Sequence, residues 1–270
     1  MMAALNPIAV QFGSLQVHWY GVIIATGVVI ALILSVREGK KLGIDEDYFY
    51  DFLLWAIPIA IISARTYYVI FQWPYYSVHP GEIIAVWDGG IAIYGAIIGG
   101  FLTLYFFCRA RQLSIWTMVD IIAPTLIMAQ GIGRWGNFMN QEAFGHITTK
   151  ATLLSQHIPH WIIQQMYIGG HYRVPTFLYE SLWDLAGFAL LLTLRHKKQL
   201  FKHGEIFLSY VVWYAIGRAV IEGMRTDSLM LGPIRVSQLL SLVFLISAIV
   251  IVIVRRRSRD LPWYWDKQVN

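Results

Sequence analysis

The sequence carries little charge and almost no cysteine. Of its 270 residues only 14% are Asp, Glu, Lys or Arg, against about 25% in a soluble domain. A soluble surface needs such residues, so the composition argues against a soluble globular enzyme. The single cysteine, Cys108, rules out an internal disulfide framework and any multi-cysteine metal or iron–sulfur site. Internal repeats and low-complexity segments are also missing, and with them the inverted repeat that marks many transporters. Residues 1–16 lack the basic n-region of a cleavable signal peptide, so the first apolar segment reads as a retained span. What the chain does have is apolar text: 57% of it is hydrophobic and its mean hydropathy is +0.55, which excludes disorder.

A helix needs about 20 mostly apolar residues to cross the hydrocarbon core. Seven segments qualify, at roughly 17–36, 48–70, 89–108, 115–135, 176–194, 205–224 and 236–254. The second and fourth are interrupted by Asp51, Arg65 and Asp120. The expectation is an all-α polytopic membrane protein, a single integral membrane domain over 1–270 with one long extracytoplasmic connection at about 136–175. That connection should hold short elements of its own. Orientation follows from the placement of Lys and Arg. With the N-terminus outside, fourteen of the 21 basic residues fall on the inner connections and the C-terminal tail, and four on the outer parts. The C-terminus is therefore placed in the cytoplasm. The net charge of +5 is a topology signal, and nucleic acid is not a partner.

Charges inside spans are costly and call for a functional hypothesis. In the sixth span Tyr214, Arg218 and Glu222 are spaced by four residues on one helix face, with Arg225 close behind. Either Arg218 and Glu222 merely neutralise each other, or the glutamate holds the arginine for an anion, which its planar fork suits. The densest cluster is GIGRWGNFMNQEAFG, residues 131–145. It places Arg134, Asn137, Asn140, Gln141 and Glu142 among Gly131, Gly133, Gly136 and Gly145. A dinucleotide fingerprint needs a preceding strand, and here a span precedes. The glycines read instead as a break in the helix, lining a polar head-group pocket or simply ending the helix with polar caps.

Other residues fall at the same depth: His18, Trp19 and Tyr20 open the first span, Trp87 to Gly95 the third, and Pro175, Tyr179 and Glu180 the fifth. Aromatic residues there serve as belt anchors unless they join a site. Gly95 and Gly99 form a helix-packing spacing. Cys108 reads as inert, and His157 and His160, with Pro159 between them, have poor metal spacing. All these clusters sort to the outer half of the membrane, which one outward-facing pocket rich in Arg, Asn and Tyr explains.

At these residues the chain resembles the phosphatidylglycerol–prolipoprotein diacylglyceryl transferase family. The family string G-R-x-G-N-F-x-N-x-E-x-x-G is matched without a gap by Gly133 through Gly145. HWYG at the first span, WDGG before the third, PTFLYE at the fifth and the Tyr–Arg–Glu–Arg stripe of the sixth match in order. The resemblance implies transfer of a diacylglyceryl group from phosphatidylglycerol to the lipobox cysteine of a preprolipoprotein signal peptide, at the bacterial cytoplasmic membrane and within the lipid bilayer, with no metal or organic cofactor. It implies Arg134 for the lipid phosphate and Arg218 for the leaving group or thiolate, with Glu222 orienting Arg218. Tyr20, Asn137, Asn140, Glu142, Gly145, Tyr214 and Arg225 would line the lipid site. Some members have a histidine where this chain has Tyr94, and many have one at Val174. A phenol, ordinarily titrating near pH 10, is a poor base, so the base stays open between Tyr94 and activation of the thiol by the field of Arg218. The alternative is a lipid or anion transporter using the same pocket, although no inner polar cluster supplies its second access. A scaffold would not need three intramembrane arginines.

Overall fold

The computed structural model describes residues 5–13, 15–226, 230–232, 234–257 and 261–266. In chain order it contains strands β1 (Ile8–Phe12) and β2 (Leu15–His18), then helices α1 (Trp19–Lys41), α2 (Asp47–Phe71) and α3 (Trp73–Tyr76). Two 3-10 turns, Pro80–Glu82 and Val86–Asp88, lead into α4 (Ile93–Ala110) and α5 (Ile115–Asn140). There follow β3 (Ile147–Thr148), α6 (Lys150–Ser155), α7 (His160–Gln165), β4 (Tyr167–Ile168), β5 (His171–Arg173), α8 (Thr176–Leu194) and α9 (Glu205–Glu222). The hairpin strands β6 (Met230–Leu231) and β7 (Ile234–Arg235) then run into α10 (Val236–Arg257).

Six of these helices, α1, α2, α4, α5, α8 and α10, are long and apolar enough to cross a membrane. The architecture is that of a mostly helical, multi-pass membrane protein. The seventh expected segment is the helix α9, but its 18 residues include Glu205, Arg218 and Glu222, which set it apart from the six. The basic residues Arg259 and Lys267 lie outside the described residues.

Contacts divide the chain into two compact units, residues 35–118 and residues 1–34 with 119–270. In the first, α4 packs on α2 through the small residues expected for that purpose. A Cβ at Gly95 would meet Ser63 O at 2.4 Å, and one at Gly99 would meet Ser63 Oγ at 2.4 Å, so only glycine permits the approach. Arg65 of α2, the charge that interrupts the second segment, is buried and donates to the carbonyls of Glu82, Ile83, Gly89 and Gly90. Arg111 pairs with Asp51 at 2.8 Å on an exposed face, where such a pair contributes little.

In the second unit, α8 and α9 are clasped by two tryptophans. The indole N–H of Trp183 donates to Trp213 O and that of Trp213 to Trp183 O, each at 3.0 Å, with the rings stacked 4.4 Å apart. Gly187 and Gly217 leave the space: a Cβ at Gly217 would stand 2.2 Å from Trp183 Nε1. Asp120, fully buried in α5, accepts from Gly204 N at 2.5 Å and Phe207 N at 2.9 Å. It thus satisfies amide donors at the start of α9, where the helix dipole also favours an anion. Beside it Arg256 forms a fork with Glu205, and the tail returns to pair Tyr264 N with Phe201 O.

The long connection after α5 does hold short elements. Its strands form one sheet in the order β3–β5–β4, and α6 and α7 bury Leu153, Ile162 and Ile163 against Phe138 of α5 and Phe177 of α8. Gln165 ties the assembly together: its side chain accepts from Leu5 N and donates to Phe138 O. The β1–β2 hairpin at the N-terminus was not anticipated from the sequence.

One expectation is corrected. The glycines of 131–136 do not break the fourth span, because α5 runs without interruption from Ile115 to Asn140. Each glycine packs close to a neighbouring side chain: an added Cβ would stand 3.1 Å from Asp184 Cβ at Gly131, 3.0 Å from Ile24 Cδ1 at Gly133 and 2.6 Å from the ring of Tyr20 at Gly136. Close approach outweighs the roughly 1 kcal/mol that glycine costs in a helix. The helix ends only after Asn140, where Gln141 and Ala143 take positive φ.

Candidate active site

Close packing at Gly131 brings α5 against α8, one turn before Arg134. Trp135 Nε1 donates to Ser181 Oγ at 3.2 Å and fixes the same two helices. Arg134 thereby faces Glu180, with Nη2 2.7 Å from Oε1. The tryptophan clasp sets α9 on the other side of α8, and Arg218 Nη1 reaches the same Glu180 oxygen at 3.4 Å. Its other terminal nitrogen, Nη2, lies 2.5 Å from Glu222 Oε2. Two guanidinium groups from different helices thus share one carboxylate, and the second is held from two sides. Both carboxylates are buried, whereas the side chains of Arg134 and Arg218 keep 22% and 16% of their exposure. The cations, not their counter-ions, face the accessible side. Asp184, one turn along α8 from Glu180, is also buried, adding a third carboxylate.

The end of α9 is anchored by the segment that follows it. Arg235 Nη1 donates to Glu222 O, and Gln238 Nε2 donates to Ala219 O at 2.9 Å, so a cation satisfies a carbonyl in the last turn. Tyr214 lies one turn before Arg218, and its ring is 6.1 Å from that of Tyr210, whose hydroxyl accepts from Gln130 of α5.

Beyond α5 the chain makes a tight turn. Asn137 Nδ2 donates to Glu142 Oε1 at 2.9 Å, and Thr176 Oγ1 donates to Ala143 O at 2.5 Å. Gly145 N donates to Val174 O at 2.9 Å, while Gly145 also bridges to Arg225. A Cβ at Gly145 would stand 2.8 Å from Val174 Cβ and 3.1 Å from Met224 O. The backbones on either side therefore require glycine. The structure thus places Tyr20 of α1, Arg134 and Asn137 of α5, Tyr214, Arg218 and Glu222 of α9, and Glu142, Gly145 and Arg225 of the segments after α5 and α9 in one unit. Asn140 is exposed at the last position of α5. Tyr94 belongs to the other unit, at the second position of α4, with its ring 6.3 Å from Tyr67.

Glu180 is the residue that sequence reasoning noticed and did not use. Its signal was available, because an ionisable residue within an apolar segment asks for a partner, but nothing in the sequence says that the partners lie 46 and 38 residues away. Among the described residues no group of three or more His, Cys, Asp or Glu side chains is placed to hold a metal ion.

The chain that carries this arginine–glutamate group is similar to known proteins over nearly its whole length. The family model for prolipoprotein diacylglyceryl transferase matches residues 7–254. The chain belongs to the prolipoprotein diacylglyceryl transferase family. It is 74% identical to a phosphatidylglycerol–prolipoprotein diacylglyceryl transferase of Limosilactobacillus reuteri over 264 residues, covering 98% of this chain and 96% of that one. Proteins of the same name from Pediococcus pentosaceus and Lactiplantibacillus plantarum are 65% and 59% identical, each over 98% of this chain and over 96% and 94% of their own. The family assignment makes the chain a transferase of lipoprotein maturation and lends no support to transport through the same pocket.

Proposed function

We propose that the chain transfers the diacylglyceryl group of phosphatidylglycerol to the thiol of a lipobox cysteine in a preprolipoprotein, the first step of lipoprotein maturation. The observation that carries this reading is the pair of arginines held through one buried glutamate in a chain of this family. In the reaction the sulfur forms a bond to the glycerol carbon that carries the phosphate ester. The carbon–oxygen bond to phosphate breaks, glycerol phosphate leaves, and the thiol proton is given up, so that a thioether and a phosphate monoester are the products. Charge grows on the departing phosphate oxygen, where preorganised donors lower the barrier.

Arg134 binds the lipid phosphate with its planar fork, and Arg218 stabilises the leaving oxygen and the thiolate. The thiolate is the reactive form, and a neighbouring cation raises its share. Glu222 and Glu180 fix the guanidinium planes. Tyr20, Asn137, Asn140, Glu142, Gly145, Tyr214 and Arg225 line the lipid site. The chain forms a single membrane domain of seven spans, α9 included, in the bacterial cytoplasmic membrane, with the N-terminus outside and the C-terminus in the cytoplasm. The site opens to the outer leaflet, a reading that the basic asymmetry of the connections supports. Purified protein supplied with phosphatidylglycerol labelled in its diacylglyceryl part should label a lipobox peptide; a peptide that stays unlabelled refutes the reading.

A further inference from the structure

The tryptophan clasp closes α8 on α9, and α10 packs along α9. Between them the three helices, all of one unit, leave a groove of about 390 Å³. It runs from Trp213 and Ile216, at the clasp, to Leu194 and Phe201, at the connection between α8 and α9. Apart from the indole N–H of Trp213, which donates to Trp183 O, its only polar side chain is that of Ser209, which donates to Glu205 O at 2.7 Å. The groove thus offers no unbonded side-chain donor or acceptor, so hydrocarbon fits it and a polar ligand does not. Leu190, Ile216, Ile249 and Ile253 on its walls are exposed. It therefore opens sideways, onto the lipid that surrounds a multi-pass protein. From Leu208 to Ile216 the helix rises about 12 Å, close to half of a hydrocarbon core about 30 Å thick.

One end of this groove is basic. Leu194 and Phe201 bracket a connection that carries Lys197 and Lys198, and Arg257 lies one turn beyond Ile253 on α10. These three cations are exposed and, among the described residues, make no ion pair. The carboxylates nearby offer them little: Asp120 is buried and bonded by the amides of Gly204 and Phe207, Glu205 is buried under Arg256, and Asp266 is exposed. An apolar slot one leaflet deep, with unpaired cations at its mouth, has the charge and shape of a single kind of lipid. The arginine–glutamate group lies elsewhere. At 3.6 residues per turn, Arg218 stands about 150° around α9 from the middle of the groove face.

We propose that this groove holds an acyl chain of an anionic phospholipid whose phosphate rests on Lys197, Lys198 and Arg257, a lipid site separate from the arginine–glutamate group. Basic side chains beside a membrane helix attract anionic head groups, and the groove fixes where the attached chain lies.

The test uses the full chain in phosphatidylcholine nanodiscs, without peptide. They are doped with phosphatidylglycerol carrying a diazirine near the end of one acyl chain, or with phosphatidylcholine carrying the same chain. After irradiation, labelled residues are mapped by mass spectrometry. The phosphatidylglycerol probe should label 208–216 and 249–253 at least fivefold more than the phosphatidylcholine probe. In the Lys197→Gln/Lys198→Gln/Arg257→Gln variant, altered only at exposed positions, that excess should fall below twofold. Ile249→Trp, which fills the groove, should abolish labelling of 208–216 by both probes while the exposed Phe244 on α10 stays labelled. Equal labelling by the two probes, an excess that survives in the triple variant, or undiminished labelling of 208–216 in Ile249→Trp overturns the proposal. A groove that neither probe labels, as when a second copy of the chain covers it, overturns it too.

Discussion

Arg134 of α5 and Glu180 of α8 meet at 2.7 Å, and the carboxylate oxygen that joins them is the one that Arg218 approaches from α9. One carboxylate thereby sets the spacing of the two cations that the proposed reaction directs at one phosphate ester. Replacing Glu180 by Gln removes the charge that holds both. Transfer should fall by about 10- to 100-fold, the scale expected when reacting groups shift by about 1 Å. Steady-state rates of peptide labelling check this, and a variant within threefold of wild type would show that Glu180 does not organise the arginines.

Arg134→Lys keeps the cation and loses the planar fork. The expected loss is at least tenfold, about 1.4 kcal/mol in the barrier. Near-normal transfer by the lysine variant would reject bidentate binding of the phosphate.

The orientation has a direct test. Lys150 and Lys198 are both exposed, and the native Cys108 is buried. In a Cys108→Ala background, a cysteine replacing Lys150 should react with an impermeant thiol reagent applied to intact cells, and one replacing Lys198 should react only after the membrane is opened. The reverse pattern would invert the topology and move the site to the inner leaflet.

The tryptophan clasp predicts a stability effect. Gly217→Ala places a methyl carbon within 2.2 Å of Trp183 Nε1, so the clasp must open. Overpacking of this kind costs about 1–3 kcal/mol, and Tm should fall by several degrees. Gly100→Ala inside α4, with nothing within 4 Å of the added carbon, should not lower Tm and should raise it slightly, because alanine favours the helix.

His203 makes stability depend on pH. Burial pushes its imidazole below the ordinary 6.5, and Arg255 adds repulsion. The unfolded chain then takes up the proton first, so this contribution is complete above about pH 6.5 and is lost as the pH falls below it. The melting temperature of wild type should drop on that acid side more steeply than that of His203→Gln; parallel curves would contradict the assignment.

The seven helical segments were legible because a run of about 20 apolar residues has few other uses. The start of α8 at Thr176 and of α10 at Val236 matched the pattern to the residue. The end of α5 did not. Glycine both breaks helices and lets them approach, and the sequence could not show that Tyr20, Ile24 and Asp184 lay against Gly136, Gly133 and Gly131. Asp120 was visible as a charge in a span, but its partners, the amides of Gly204 and Phe207, lie 84 and 87 residues away. The arginines of the site announced themselves as costly intramembrane charges, whereas the sharing of Glu180 between them is a property of three packed helices.

The central claim, covalent transfer at the arginine–glutamate group, is tested most directly with wild-type and Arg218→Gln protein in nanodiscs, phosphatidylglycerol labelled in its diacylglyceryl part, and a lipobox peptide. The predicted result with wild type is label fixed to the peptide's cysteine, one glycerol phosphate released for each peptide modified, and none when that cysteine is replaced by serine; Arg218→Gln should lose nearly all of it. Release of glycerol phosphate without labelled peptide, or undiminished labelling by Arg218→Gln, would contradict the account.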